Sequence, residues 1–164
     1  MKKQIWLLPL LILTSVLLTG CALQTVNEMY ALPKRSKEYD NLQSAIDSAM
    51  YGLSYSAPVS GENQQTVQMA DLDGDGVEEY IVFAQGSSAN PLQVLIFRQE
   101  EDGTCRLMEV IQSNGSAFEQ VEYVQMDDAP GYELVVGRQL SDQVLRSVSV
   151  YSFSGGSAEQ LMMV

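Results

Sequence analysis

The chain has 164 residues, with 21 acidic against 9 basic side chains, no histidine and two cysteines, and its formal net charge is −12. So acidic a balance disfavours nucleic acid and anionic lipid head groups as partners. The lack of histidine excludes every catalytic triad that needs an imidazole base. A Gly-x-Ser-x-Gly elbow, a phosphate-binding loop and a His/Cys metal cluster are also missing from the sequence.

The chain begins with the positively charged Met1-Lys2-Lys3-Gln4. An apolar run from Ile5 to Leu18 follows, broken only by Pro9, Thr14 and Ser15, and then Leu18-Thr19-Gly20-Cys21. This is the layout of a secretion signal, and the run falls short of the ~20 apolar residues a spanning helix needs. Leu-Thr-Gly-Cys resembles the lipobox of bacterial lipoproteins. The resemblance implies cleavage before Cys21 and a diacylglycerol on its sulfur, so the protein is expected outside the cytoplasm, anchored to the cell membrane by lipid. A single acyl chain anchors only marginally, and a diacylglyceryl cysteine meets the need for two. Residues 1–20 are then a signal peptide and residues 21–35, polar and containing Leu32-Pro33, a tether. Loss of Lys2 and Lys3 takes the net charge from −12 to −14. A lipidated Cys21 leaves Cys105 without a partner, and Cys105 reads as a small buried apolar residue.

Residues 36–53 are expected to form an amphipathic helix opened by Ser36 as its cap. Tyr39, Leu42, Ile46, Ala49, Met50 and Leu53 recur at three- and four-residue steps, with polar residues between them. From Tyr55 the pattern turns to strands: Thr66 to Met69, Glu79 to Ala84, Leu92 to Phe97 and Cys105 to Ile111. Gly86 to Pro91, Glu101-Asp102-Gly103 and Asn114-Gly115 supply loops and turns.

The strand pattern recurs. A shift of 54 lays Glu79-Tyr80-Ile81-Val82 on Glu133-Leu134-Val135-Val136, Val94 on Val148, Ile96 on Val150, Phe97 on Tyr151, and Leu107 to Val110 on Leu161 to Val164. A shift of 57 lays Val67-Gln68-Met69 on Val124-Gln125-Met126, so the second copy is expected to have lost three residues from its first turn. A repeat of this length with four strands per copy is the sign of a propeller blade. The expected fold is therefore mainly β: two four-stranded antiparallel blade-like repeats, over residues 55–112 and 113–164, behind one amphipathic helix. Two blades leave one flat apolar face uncovered. The chain reads either as a fragment of a larger β-propeller or as a compact β-rich domain in its own right.

The first copy contains Asp71-Leu72-Asp73-Gly74-Asp75-Gly76-Val77-Glu78-Glu79. Carboxylates at positions one, three and five put three oxygens on one side of a tight loop. Gly76 permits the turn, the Val77 carbonyl can face the same point, and Glu79 can close the shell directly or through water. Such a hard, flexible oxygen set suits calcium better than magnesium. The alternative is an Asp/Gly turn that binds nothing. The loop is not an EF-hand, because position twelve is Val82 and a strand follows. Ala70 to Val82 instead resembles the FG-GAP and VCBS repeats of integrin-type β-propellers and bacterial surface proteins. The resemblance covers roughly residues 66–164, is strong only around this loop, and lacks the family's Phe-Gly and Gly-Ala-Pro signatures. It implies a calcium ion held by Asp71, Asp73, Asp75, the Val77 carbonyl and Glu79. The second copy, Met126 to Glu133, has Ala129 and Pro130 where ligands would be needed and reads as a plain turn.

No catalytic residues are assigned. The carboxylates are expected in turns or on exposed strand faces, and Tyr30, Tyr51, Tyr55 and Tyr123 as half-buried packing residues that could alternatively line a sugar- or peptide-binding face. The expected role is binding or scaffolding by a calcium-stabilised, lipid-anchored repeat protein, its protein or glycan ligand unknown. The alternatives are the accessory repeat region of a cell-envelope enzyme acting on glycans or phosphoesters, or a stability domain with no ligand but calcium.

Overall fold

A computed structural model describes residues 36–140 and 145–164. The signal, Cys21, the tether and Tyr30 lie outside the described residues. Helix α1 spans Lys37–Ala49. The Ser36 hydroxyl accepts from the Tyr39 N–H, and Glu38 and Asp40 lie in the first turn, where the helix dipole favours negative charge. At the far end the Met50 N–H closes on the Ile46 carbonyl.

Nine strands follow: β1 (Ser54–Tyr55), β2 (Val67–Ala70), β3 (Glu79–Gln85), β4 (Leu92–Gln99), β5 (Cys105–Ser113), β6 (Ala117–Val124), β7 (Glu133–Gln139), β8 (Arg146–Ser154) and β9 (Ser157–Met163). They make two antiparallel sheets. In the first, β3, β4 and β5 follow one another, and β1 and β2 share the remaining edge of β3. The second is the simple meander β6-β7-β8-β9. The protein is mainly β, and no sheet closes into a barrel among the described residues. Four strands per copy holds for the second sheet only, since an excursion over residues 56–66 splits the outer strand of the first. That excursion follows the edge of β6. Val59 and Ser60 donate to the Phe118 and Glu119 carbonyls, and Asn63 donates to that of Val121. An open edge of the second sheet is thereby partly covered.

Alternation along β3 and β4 sorts their side chains onto two faces. Ile81, Phe83, Leu92, Val94 and Ile96 face the second sheet and pack with Phe118, Val121, Leu134, Val136, Tyr151 and Phe153. Phe83 and Phe118 meet edge to face with centroids 5.1 Å apart. Val82, Ala84, Leu95 and Phe97 point the other way, against Leu42, Ala45, Ile46, Ala49 and Met50 of the helix region. The helix, first sheet and second sheet thus form three layers, with the first sheet buried on both sides. This is why its two central strands are nearly unbroken apolar runs.

Hydrogen-bond register corrects two details of the repeat alignment. Ala70 pairs with Glu79 and Val124 with Glu133, so the equivalence of β2 and β6 also runs at 54, not 57, and no residues are lost from the second turn. Phe97 pairs with Leu107 but Tyr151 with Gln160, so β5 and β9 correspond at 53, their hairpin one residue shorter in the second copy. Both last hairpins carry an irregularity at the same place, after Ile96 and after Val150. A slip by an odd number of residues reverses which face each side chain occupies. Apolar similarity alone cannot detect this where both faces are apolar.

Glu79 and Glu133 also depart from expectation. Each begins a strand, yet each is buried, at 0% and 6% exposure. Tyr51 is fully in solvent, at 94% exposure, whereas Tyr123 is half-buried as expected and donates its hydroxyl to Gln68 Oε1 at 2.7 Å. Burial raises the Tyr123 phenol far above its ordinary value. Cys105 is a free, half-buried thiol beside the helix, and burial pushes its pKa up, with the Glu100 charge adding to the effect.

The inter-sheet layer is expected to dominate stability. Phe118→Ala should cost ~3–5 kcal/mol, the usual range for a buried phenylalanine. Tyr51→Ala should stay within about 0.5 kcal/mol. Urea unfolding midpoints followed by circular dichroism measure both.

Candidate metal centre

The acidic loop joins β2 to β3. Its aspartates first organise the loop itself. Asp71 accepts from the Gly74 and Gly76 N–H groups at 2.7 and 2.9 Å, Asp73 from the Asp75 N–H at 3.3 Å, and Asp75 from the Val77 N–H at 2.8 Å. These side chain to backbone bonds replace a strand ladder with a tight turn. Gly74 and Gly76 take φ of +75° and +86°, the left-handed region that glycine enters without penalty.

Glu79 anchors the loop from below. Its Oε2 accepts from the Leu72 N–H at 3.0 Å and its Oε1 from Arg98. The second copy keeps the first of these bonds, Met126 N–H to Glu133 Oε2 at 2.8 Å, and also has Ala129 N–H to Asp127 Oδ1 at 2.7 Å, matching Asp75 to Asp73. Both turns are therefore built on the same scaffold of a buried glutamate reaching back to the backbone seven residues earlier. The second has Gln125 in place of Asp71, Ala129 in place of Asp75 and Ser152 in place of Arg98.

The two turns lie against each other. The Tyr132 N–H donates to the Asp71 carbonyl at 3.0 Å. A Cβ on Gly74 would come within 2.3 Å of the Pro130 carbonyl carbon, and one on Gly131, at φ +106°, within 2.7 Å of the Leu72 carbonyl oxygen. Pro130 stands at the position of Gly76 in its own turn and serves as a wall for the neighbouring one.

Of the five expected ligands, Asp71, Asp73 and Glu79 converge, with one oxygen from each within 4.8 Å of the others. Asp75 lies at the rim with its side chain 45% exposed, and Val77 is half-exposed on the outer side of the loop. The residue that sequence reasoning missed is Arg98, near the end of β4. Its guanidinium pairs with Asp73, reaches Glu79 Oε1 at 2.7 Å through Nη2 and 3.0 Å through Nε, and stands 3.8 Å from Asp75 Oδ2. The pairing of Tyr80 with Phe97 puts Arg98 across from Glu79. The one available signal was a cation after the apolar run Leu92 to Phe97, where the second copy has Ser152. Only the hairpin register connects that cation to the loop.

Burial raises the Glu79 pKa above its ordinary 4.5, with Asp73 adding to it, against the bonds from Arg98 and Leu72 that lower it. The same bonds from Asp73 and Glu79 hold the Arg98 guanidinium still more firmly protonated. The donor set fits a divalent cation. Oxygens on opposite sides of one calcium ion, at 2.3–2.6 Å each, lie up to about 5 Å apart. A protein cation already sits among Asp73, Asp75 and Glu79, standing where the positive charge would be needed. Comparison with protein-family models, curated proteins and solved structures returns no match to this chain.

Two measurements probe this geometry. Glu79→Gln breaks an ion pair as well as weakening a backbone bond, and should cost on the order of 1.5–3 kcal/mol; Glu133→Gln, with only its bond to Met126, should cost under about 1 kcal/mol. Urea unfolding in chelator compares them. Gly131→Ala meets backbone at 2.7 Å and should lower stability by at least ~1–3 kcal/mol in the same assay, the cost of a strained αL residue.

Proposed function

We propose that this chain is a non-enzymatic, lipid-anchored protein of the bacterial cell envelope, whose propeller-blade-like repeats carry one calcium-binding turn and serve binding or scaffolding. The observation that carries the reading is the convergence of Asp71, Asp73 and Glu79, the last two paired with Arg98, in a turn pressed against its own degenerate copy. Calcium would be held by these three with Asp75 and the Val77 carbonyl, and would neutralise the crowded carboxylates and stiffen the turn.

The blade-like reading draws support from how the sheets stack. The face of the first sheet bearing Ile81, Phe83, Val94 and Ile96 receives the second sheet. The equivalent positions of the second sheet, 54 residues on, are Val135, Gly137, Val148 and Val150, which turn away from the first. Of these Val148 is 36% exposed and Val150 only 3%, and the nearby Val124 and Met162 are 41% and 48% exposed. Successive units offering the same face in the same sense are the arrangement of repeat arrays, in which each unit covers its predecessor. The lipid anchor and the extracytoplasmic location rest on the sequence Leu18-Thr19-Gly20-Cys21 with the basic, apolar stretch before it. The second reading, an accessory repeat region of an envelope enzyme acting on glycans or phosphoesters, keeps the same turn and differs in what accompanies it.

Calcium is expected to raise the melting temperature of the chelator-treated full chain in detergent, because it binds the folded form in preference to the unfolded. An Asp73→Ala, Asp75→Ala double variant should lose the shift. No shift at millimolar calcium removes the metal from the proposal. For the anchor, expression in a bacterium fed labelled palmitate should place label on the protein and the protein in the membrane fraction. Cys21→Ser should abolish the label, and labelling that persists in this variant rejects Cys21 as the attachment point.

A further inference from the structure

Arg98 has a role that its position makes specific. Its guanidinium bonds two of the expected calcium ligands, Asp73 and Glu79, and faces a third, Asp75, at 3.8 Å. The arginine side chain is only 21% exposed and Glu79 is fully buried, so these contacts are poorly screened by solvent. Within this one molecule the arginine and the aspartates occur together. The turn that has Ala129 and Gln125 has Ser152 at the position of Arg98. The buried glutamate, by contrast, is present in both turns. Glu133 makes its backbone bond without an arginine, so the cation is not required by the glutamate scaffold. It accompanies the acidic cluster.

We infer that Arg98 is a tethered competitor for the calcium site: it neutralises the turn when the ion is scarce, and must release Asp73 and Glu79 before the ion can be fully ligated. This rests on the calcium reading above. A guanidinium and a divalent ion cannot use the same carboxylate oxygens at once, since each requires direct contact and the two cations repel. The folded protein therefore exists in an arginine-closed form, as seen here, and an open form competent for metal. The apparent calcium affinity is the intrinsic one reduced by the open fraction. Charge-assisted hydrogen bonds of this kind favour the closed form by roughly 10- to 100-fold. The threshold moves upward by that factor, toward the 10⁻⁴–10⁻³ M range typical of extracellular modules. The device also keeps the turn folded without metal. The alternative without Arg98 is a set of carboxylates within 4.8 Å with no counter-charge beside them.

The test compares the full chain in detergent with Arg98→Met and Arg98→Lys by calorimetric calcium titration and by thermal unfolding in chelator and in calcium. Arg98→Met should melt lower than the parent in chelator, and should bind calcium with a midpoint at least about tenfold lower in concentration. Arg98→Lys, which keeps the charge but loses the forked contact, should fall between them. In the parent, the Arg98 Nε–H resonance should shift and exchange faster with water as calcium is added. Equal, measurable calcium midpoints in all three proteins would overturn the competition and leave the calcium site standing. No calcium response in any of them, up to millimolar concentration, would overturn both, leaving Arg98 as a permanent counter-charge. If Arg98→Met does not fold in chelator, recovery of its circular dichroism below the parent's calcium midpoint supports the inference, and failure to recover at any concentration rejects it.

Discussion

The first sheet must bury both of its faces, and most of the molecule is arranged to meet that demand. β3 and β4 carry apolar side chains at nearly every position, with Ile81, Phe83, Val94 and Ile96 on one side and Val82, Ala84, Leu95 and Phe97 on the other. Neither face could be left in water without the loss of about 25 cal/mol for each Å² exposed. Helix α1 covers one face and the second sheet the other. The amphipathic stripe of the helix, the split outer strand and the excursion along β6 are all consequences of holding these covers in place.

That stacking also creates the acidic site. The sheets run in the same sense, so their first turns arrive at the same end and touch. Pro130 and Gly131 press on Gly74 and on the Leu72–Asp73 backbone. A turn with Gln125 and Ala129 where its neighbour has Asp71 and Asp75 thus becomes structural support for the acidic one. The same layer brings the far end of β4 beside the start of β3, which delivers Arg98 to Glu79. Packing and electrostatics meet at Glu79. Its burial follows from strand position, and its charge is tolerable there because a backbone N–H and a guanidinium both reach it.

The uncovered face of the second sheet shows the same logic from its other side. Val124 and Val148 stand exposed where the first sheet, at Ala70 and Val94, is sealed. On the inner face of that sheet lies a buried cation, Arg138. Its bonds go to Asn114, Ser147 and Ser149, all neutral, and its Nε has no partner among the described residues. At the equivalent position the first sheet has Ala84, packed against the helix. The two units share a backbone plan and differ in what each face must cover.

Periodicity and composition alone gave the helix stripe, the strand positions and the acidic turn with its three aspartates. All are local signals, set by spacings of two to four residues or by the turn chemistry of Asp and Gly. The register of β2 against β6 was not legible, because Val67-Gln68-Met69 recurs unchanged as Val124-Gln125-Met126 at a shift of 57, and only the ladder of hydrogen bonds shows that Ala70 and Val124 correspond. The burial of Glu79 and Glu133 was equally hidden, since a carboxylate at the head of a strand reads as exposed until its backbone partner is known. Above all, tertiary structure decided which cation serves the site. Arg98 is 25 residues from Asp73, and their meeting depends on the β3–β4 hairpin register, a nonlocal pairing that no spacing in the sequence encodes.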